Sequence, residues 1–166
     1  MSLQITAMTP ADVPAVAAIE ARQHLTPWQE NGFRDALRHG WPALVLRAQA
    51  PADPALLGYV VSMSAGDDEE LLTITVTPEA SGQGYGRRLL ACLLDAARER
   101  GAKRLLLEVR QSNTRAIRLY TSAGFTIAGM RKNYYAIPAD PATGATASRE
   151  DAVLMACDLQ RPEAAA

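Results

Sequence analysis

Apolar positions along the chain follow two periods, alternation every second residue and recurrence every third or fourth, and the switches between them mark out the elements. Leu3 to Met8 reads as a first strand. Thr9-Pro10-Ala11-Asp12 then supplies a helix start, with a capping candidate and a proline in the first turn, and Val13, Val16, Ala17 and Ile19-Glu20 carry the helix forward. After Thr26-Pro27-Trp28 a short helix covers Glu30 to Arg38 and ends at Gly40. Ala43 to Ala48 and Leu56 to Met63 read as strands separated by the turn-rich Gln49-Ala50-Pro51-Ala52-Asp53-Pro54. The acidic stretch Gly66-Asp67-Asp68-Glu69-Glu70 separates these from a fourth strand, Leu71 to Val76.

Beyond Val76 the period changes again. From Arg87 to Arg100, Leu89, Leu90, Leu93, Leu94 and Ala97 form one helical stripe, with Arg87, Arg88, Asp95, Arg98 and Glu99 mostly elsewhere, and Gly101 stops the helix. Arg104 to Val109 is a buried strand by its apolar run, and Asn113 to Ala123 is a helix ended by Gly124. Phe125 to Tyr135 and Ala152 to Leu159 supply the last strands; residues 136–149 lack periodicity and read as a mobile loop, and 160–166 as a frayed tail. The strand-helix-strand-helix succession after Leu71 predicts an α/β (α+β) protein, a mixed sheet of seven strands with four helices on its faces.

Composition narrows the field. With 166 residues the chain is expected to form a single domain, with a core over residues 3–159, that buries roughly two thirds of its unfolded surface without disulfides. Hydrophobic content of 48%, charged content of 21% and a net charge of -1 exclude a disordered polyampholyte and a polycation that binds nucleic acid directly. Cys92 and Cys157 are isolated, as expected of reduced thiols in a cytoplasmic protein. Met1 to Pro10 has no signal-peptide pattern and no apolar run approaches membrane-spanning length, so neither export nor membrane insertion is expected. His24 and His39, the only histidines, sit in no ligand-like spacing, so no metal site is expected.

The most informative segment lies between the fourth strand and the long helix: Ser81-Gly82-Gln83-Gly84-Tyr85-Gly86. Glycines at alternate positions let a turn aim consecutive N–H groups outward while a ligand approaches the main chain, and the following helix adds unpaired amides and the positive end of its dipole. That combination suits a pyrophosphate. A phosphate-loop NTPase would need Lys and then Ser or Thr after the last glycine, whereas Arg87, Arg88 and Leu89 follow Gly86. A dinucleotide fingerprint would need G-x-G-x-x-G, and the spacing here is G-x-G-x-G. A glycine-rich turn that simply lets a helix begin stands beside the functional reading.

The turn resembles the Q/R-x-x-G-x-G/A signature of the GCN5-related N-acetyltransferase (GNAT) superfamily, with Gly84 and Gly86 at its glycines and Ser81 departing from its Gln or Arg. Leu105-Leu106-Leu107-Glu108-Val109-Arg110, Ser112-Asn113, Ala116-Ile117, Leu119-Tyr120, Gly124-Phe125, Arg131-Lys132-Asn133-Tyr134-Tyr135 and Glu150 to Ala156 follow in the order of its RimI-type branch. His24, Pro27, Trp28 and Phe33 are similar to that branch's H-x-x-P-W-x-x-x-x-F stretch, so the likeness runs from Ile5 to Leu159. It implies a GNAT fold with a mostly antiparallel sheet, acetyl-CoA as cosubstrate and no metal. It also implies an N-terminal alanine of a small-subunit ribosomal protein as acceptor, in a monomer or weak dimer. The connection over 136–149 is longer than is usual in the family; it either alters acceptor access or is a neutral surface excursion.

Acetyl transfer to an amine needs a neutral amine, a place for an oxyanion and a proton for the departing thiolate. Roughly a tenth of a free α-amine is neutral at pH 7, and well under a thousandth of a lysine, so an N-terminal acceptor asks less of its base. Glu108 interrupts an apolar strand at its carboxyl end and by resemblance is the general base; a solvent-facing strand-end glutamate is the alternative. Asn113, Ala116 and Tyr120 share one helical face while Arg115 and Arg118 point away. By resemblance Tyr120 is the general acid, and a core aromatic is the alternative. Asn113 is first an N-cap candidate. The resemblance implies a cofactor set of Ile74, Thr75, Val76, Gly82, Gln83, Gly84, Tyr85, Gly86, Arg87 and Asn113, and an acceptor wall of Trp28, Arg131, Asn133, Tyr134 and Tyr135. Acetylation of a lysine or small amine, and a CoA-binding regulator without turnover, remain as competing readings.

Overall fold

The computed structural model describes residues 2–49 and 54–160; the turn at 50–53 and most of the tail read at 160–166 lie outside the described residues. The strands are β1 (Ser2–Ala7), β2 (Ala43–Gln49), β3 (Ala55–Ala65), β4 (Asp68–Val76), β5 (Arg104–Arg110), β6 (Thr126–Ile137) and β7 (Ser148–Asp158), and the helices α1 (Val13–Gln23), α2 (Glu30–Arg38), α3 (Tyr85–Glu99) and α4 (Thr114–Ser122). They form one seven-stranded sheet in the order β1-β2-β3-β4-β5-β7-β6. Only β4 and β5 run parallel; every other neighbouring pair is antiparallel. The fold is the mixed, mostly antiparallel α/β (α+β) architecture expected.

Strand alternation feeds two cores. Leu46, Val60, Leu71, Leu105, Leu107 and Val153 face α3 and α4, whereas Val45, Tyr59 and Val61 face α1 and α2. The predicted stripe Leu89, Leu90, Leu93, Leu94 and Ala97 is buried in full. Each fully buried leucine is worth about 2 kcal/mol, more than the helix propensity of any residue type in α3, so packing and not propensity holds α3 in place. α3 begins at Tyr85, not Arg87, because Gly84 in the left-handed conformation turns the chain directly into it.

Of the acidic segment expected to separate strands, Gly66 and Asp67 do form the turn, whereas Asp68, Glu69 and Glu70 belong to β4. Glu69 is only 1% exposed. Its carboxylate accepts from Arg100 Nε at 3.0 Å and Nη2 at 2.5 Å and from the Ser62 hydroxyl at 2.6 Å, which makes a strand interior tolerable to a charge. Next to it β4 carries an extra residue, Leu72, because pairing with β3 shifts register between Val61 and Ser62.

The predicted loop at 136–149 is shorter, since Ala136 and Ile137 extend β6, Ser148 and Arg149 open β7, and Asp140 organises the remainder by accepting from Ala142 N–H and the Thr143 hydroxyl. β6 is an edge strand with two register shifts, and it leaves Ile127 and Met130 66% and 49% exposed. Among the described residues no helix is long and apolar enough to cross a membrane.

Arg100→Ala leaves the Glu69 carboxylate with Ser62 as its remaining donor, so a loss of about 2 kcal/mol is expected in urea denaturation. Arg100→Lys, which keeps the charge but not the fork, is expected to lose less.

Candidate active site

Parallel pairing of β4 with β5 is confined to Glu69 with Leu105 and Glu70 with Leu106. Past that point the strands diverge, and a cleft of about 830 Å³ opens between them. On its β3 side β4 stays paired, Val60 with Ile74, Tyr59 with Thr75 and Gly58 with Val76. Among the described residues its other edge has no strand partner from Leu71 onward, so main-chain groups of Ile74, Thr75 and Val76 are open to a ligand that adds like a strand. Gly58 supports this edge from behind: a Cβ there would lie 2.6 Å from the Thr75 carbonyl oxygen, so any side chain would push β4 into the cleft.

At the far end of β4, Gly84 caps α3 at φ 79° and has open space where a Cβ would sit. The first intrahelical bond runs from Arg88 N–H to the Gly84 carbonyl, so the amides of Tyr85, Gly86 and Arg87 precede the ladder and point out of the helix end. Ser81, which replaces the family's Gln or Arg, sets a weak brace from its hydroxyl to the Thr77 carbonyl at 3.5 Å. Arg87, Arg115 and Arg118 all line the cleft here. For Arg115 and Arg118 this corrects the reading that they point away: α4 lies along the cleft, so its two arginine-bearing turns border it as well. Open amides at the start of α3, with arginines lining the same cleft, fit the diphosphate of a nucleotide thioester.

On β5, Leu105, Leu107 and Val109 enter the core beneath α3, which turns Glu108 to the opposite face with its side chain 18% exposed. Arg131 Nε stands 3.1 Å from Glu108 Oε1, and the Arg131 guanidinium lies over the Tyr134 ring. The Tyr134 hydroxyl also faces Glu108, which raises its pKa. Glu70 joins this group: burial first, then the charge of Glu108, lifts its carboxyl above the usual range. Tyr120 comes from α4, which Asn113 caps as expected by accepting the Ala116 N–H at 3.2 Å. The Tyr120 ring packs on Phe125, and burial, then nearby Tyr135, pushes its hydroxyl pKa well up, so the phenol keeps its proton. Burial, followed by Glu108 and Tyr134, pushes Tyr135 up to about 12.

Ile74, Thr75, Val76, Gly82, Gly84, Tyr85, Gly86, Arg87, Glu108, Asn113, Tyr120, Trp28 and Tyr135 therefore share one cleft. Arg131 and Tyr134 reach it through Glu108, and Gln83 through a hydrogen bond from the Tyr85 hydroxyl at 2.9 Å. Asn133 stands apart on the outer lip at φ 51°, its N–H donating to Asp151 and its carbonyl accepting from Arg149. Among the described residues no group of His, Cys, Asp and Glu gathers to hold a metal ion.

Sequence reasoning missed a polar cluster beneath the acceptor side. Glu20, 2% exposed, accepts from the Tyr59 hydroxyl, from Thr73 Oγ1 at 3.1 Å and from the Trp28 N–H at 3.3 Å. His24 Nε2 bonds Thr75 Oγ1 at 2.7 Å. These contacts pin the end of α1 and Trp28 to β4. The legible sign was a glutamate on the apolar stripe of α1, four residues before a histidine.

Comparison with known proteins accords with this geometry. The model of the acetyltransferase (GNAT) family matches residues 13–125. The chain is 36% identical over 155 residues to the [ribosomal protein bS18]-alanine N-acetyltransferase of Escherichia coli (strain K12), covering 93% of this chain and 97% of that protein. The crystal structure of the ribosomal-protein-S18-alanine N-acetyltransferase from Escherichia coli superimposes with a TM-score of 0.82 at 33% identity, covering 99% of both chains. The yncA protein of Salmonella typhimurium, solved with its cofactor acetyl-CoA, shares the fold at a TM-score of 0.76 and 21% identity, over 100% of this chain and 99% of that one. A splayed parallel pair, an amide cradle at a strand-to-helix turn and this breadth of identity lead to one assignment: the chain belongs to the acetyltransferase (GNAT) family, in its RimI-type branch, and is an N-acetyltransferase.

Proposed function

We propose that the protein acetylates the α-amine of an N-terminal alanine on a small-subunit ribosomal protein in the cytoplasm, with Glu108 as general base and Tyr120 as general acid. One observation carries this reading: a carboxylate and a protonated phenol face the same cleft as the free edge of β4 and the amides after Gly84. Acetyl-CoA, when bound, supplies the acetyl group as a thioester. Ile74, Thr75 and Val76 align its arm through main-chain bonds, while Tyr85, Gly86 and Arg87 amides, with Arg115 and Arg118, hold its diphosphate. Glu108 takes the proton from the incoming amine, directly or through one water, and Tyr120 gives a proton to the leaving sulfur. Its raised pKa keeps Tyr120 protonated across the neutral and mildly alkaline range, and the same burial makes the phenol a weaker acid, so the transfer draws on the higher basicity of the departing thiolate in the closed cleft. The identity with alanine N-acetyltransferases supports the acceptor, as does the α-amine's lower proton affinity relative to lysine.

Incubation with acetyl-CoA and a peptide beginning with alanine is expected to release thiol, whereas the same peptide blocked at its N-terminus but containing lysine, and polyamines, are expected not to. Thiol release only with lysine or polyamine would replace this acceptor by a side-chain or small amine, and tight CoA binding with no release by a regulator. Glu108→Gln is expected to lower kcat/KM about 100-fold near neutral pH, and less at pH about 9, where the α-amine is already neutral. An equal loss at every pH would remove Glu108 as the base. Tyr120→Phe is expected to cut kcat about 100-fold with little change in acetyl-CoA affinity. Because its pKa is raised, the same substitution should leave phenolate absorbance below pH about 10, the ordinary tyrosine pKa, unaltered.

A further inference from the structure

We infer that Arg110 is a positioning residue that holds the two walls of the acceptor side against each other. It rests on the acceptor side proposed above. Arg110 is the last residue of β5, on the same face as Glu108 two positions earlier, and its side chain is 15% exposed. Its Nη1 donates to the Ala136 carbonyl and to Glu150 Oε1, both at 3.1 Å, and its Nη2 reaches Thr26 Oγ1 at 3.4 Å. The guanidinium carbon lies 4.6 Å from the centre of the Tyr135 ring. One planar group thus joins β6, β7 and the segment between α1 and α2.

Among the described residues the two walls have no other such link through β5. One carries Leu25, Thr26 and Trp28; the other carries Tyr134 and Tyr135, whose rings meet edge-on at 5.0 Å. Glu150 anchors the assembly, since its second oxygen accepts the Ser112 N–H at 3.2 Å. Burial opposes ionisation of Glu150, but the bonds from Ser112 and Arg110 outweigh it and hold its pKa below the usual value, so the pair stays charged at neutral pH. A lysine reaches one of these partners at a time and cannot stack as a plane on Tyr135, so the geometry requires arginine. Among the described residues Arg110 makes no hydrogen bond or ion pair with the side chains of Glu108 or Tyr120 or with the cradle at Gly84. Its loss therefore falls on the acceptor and spares the cofactor.

The test uses Arg110→Met in the full chain, read by steady-state kinetics with an alanine-led peptide, by acetyl-CoA titration and by hydrogen exchange without substrate. The expected result is a KM for the peptide raised about tenfold, a dissociation constant for acetyl-CoA within about twofold of wild type, and faster exchange over residues 24–29 and 132–137. Arg110→Lys is expected to fall between the two. An unchanged KM, unchanged exchange in both segments, or a parallel loss of acetyl-CoA affinity would each overturn the inference. If Arg110→Met does not fold, Thr26→Val carries the test: faster exchange over 24–29 with a raised KM supports the link, and no change in either overturns it. Failure of the wild-type protein to acetylate the peptide would sink the proposed acceptor alone, because the exchange measurement reports on Arg110 without any substrate.

Discussion

The whole site depends on a parallel contact that is kept short. Among the described residues β4 and β5 pair only at Glu69–Leu105 and Glu70–Leu106, and the cleft opens where they have separated. A sheet left to itself would continue pairing, because each unmade ladder bond exposes an N–H and a carbonyl. Here the separation is built in: the extra residue at Leu72 redirects β4 immediately beyond the last pair, and the Glu69–Arg100 fork clamps the strand to the end of α3 immediately before it. The hydrogen-bonding groups released by this divergence face the cleft, where the proposed function uses them.

Charge is distributed along the cleft in the same spirit. Cations gather where α3 and α4 border it, at Arg87, Arg115 and Arg118, opposite the helix end that already favours an anion. Carboxylates gather at the other end, where Glu70 and Glu108 share Arg131. In the proposed function an amine meets the negative end of the cleft and a diphosphate the positive one. The tyrosines between these poles are all shifted towards their neutral form, Tyr120 and Tyr135 by burial before anything else.

Much of this was legible because it follows local periodicity. The stripe from Leu89 to Ala97 predicts α3, the interruption of Leu105-Leu106-Leu107 by Glu108 predicts a carboxylate turned away from the core, and Asn113 predicts the start of α4. What escaped depends on partners distant in the chain. Asp68, Glu69 and Glu70 look like a turn until Arg100 and Arg104 are brought alongside, and Glu20 looks like a misplaced charge until Tyr59 and Thr73 surround it. Arg115 and Arg118 were misread because a helical wheel distinguishes faces of α4 but not which of them borders open space. The loop after Ile137 is ordered by the side chains of Asp140 and Thr143 and by main-chain bonds of Asp140 with Gly144 and Ala145, which no periodicity reveals.

The irregular β6 has a consequence for solubility. As an edge strand of 12 residues with exposed Ile127 and Met130 it would offer a neighbouring molecule a template for cross-β stacking. Its two register shifts break that template into short, differently twisted pieces, and Arg131 and Lys132 place like charges that repel an identical strand. The same distortion that carries Tyr134 and Tyr135 to the lip thereby guards the protein against fibrillar self-association.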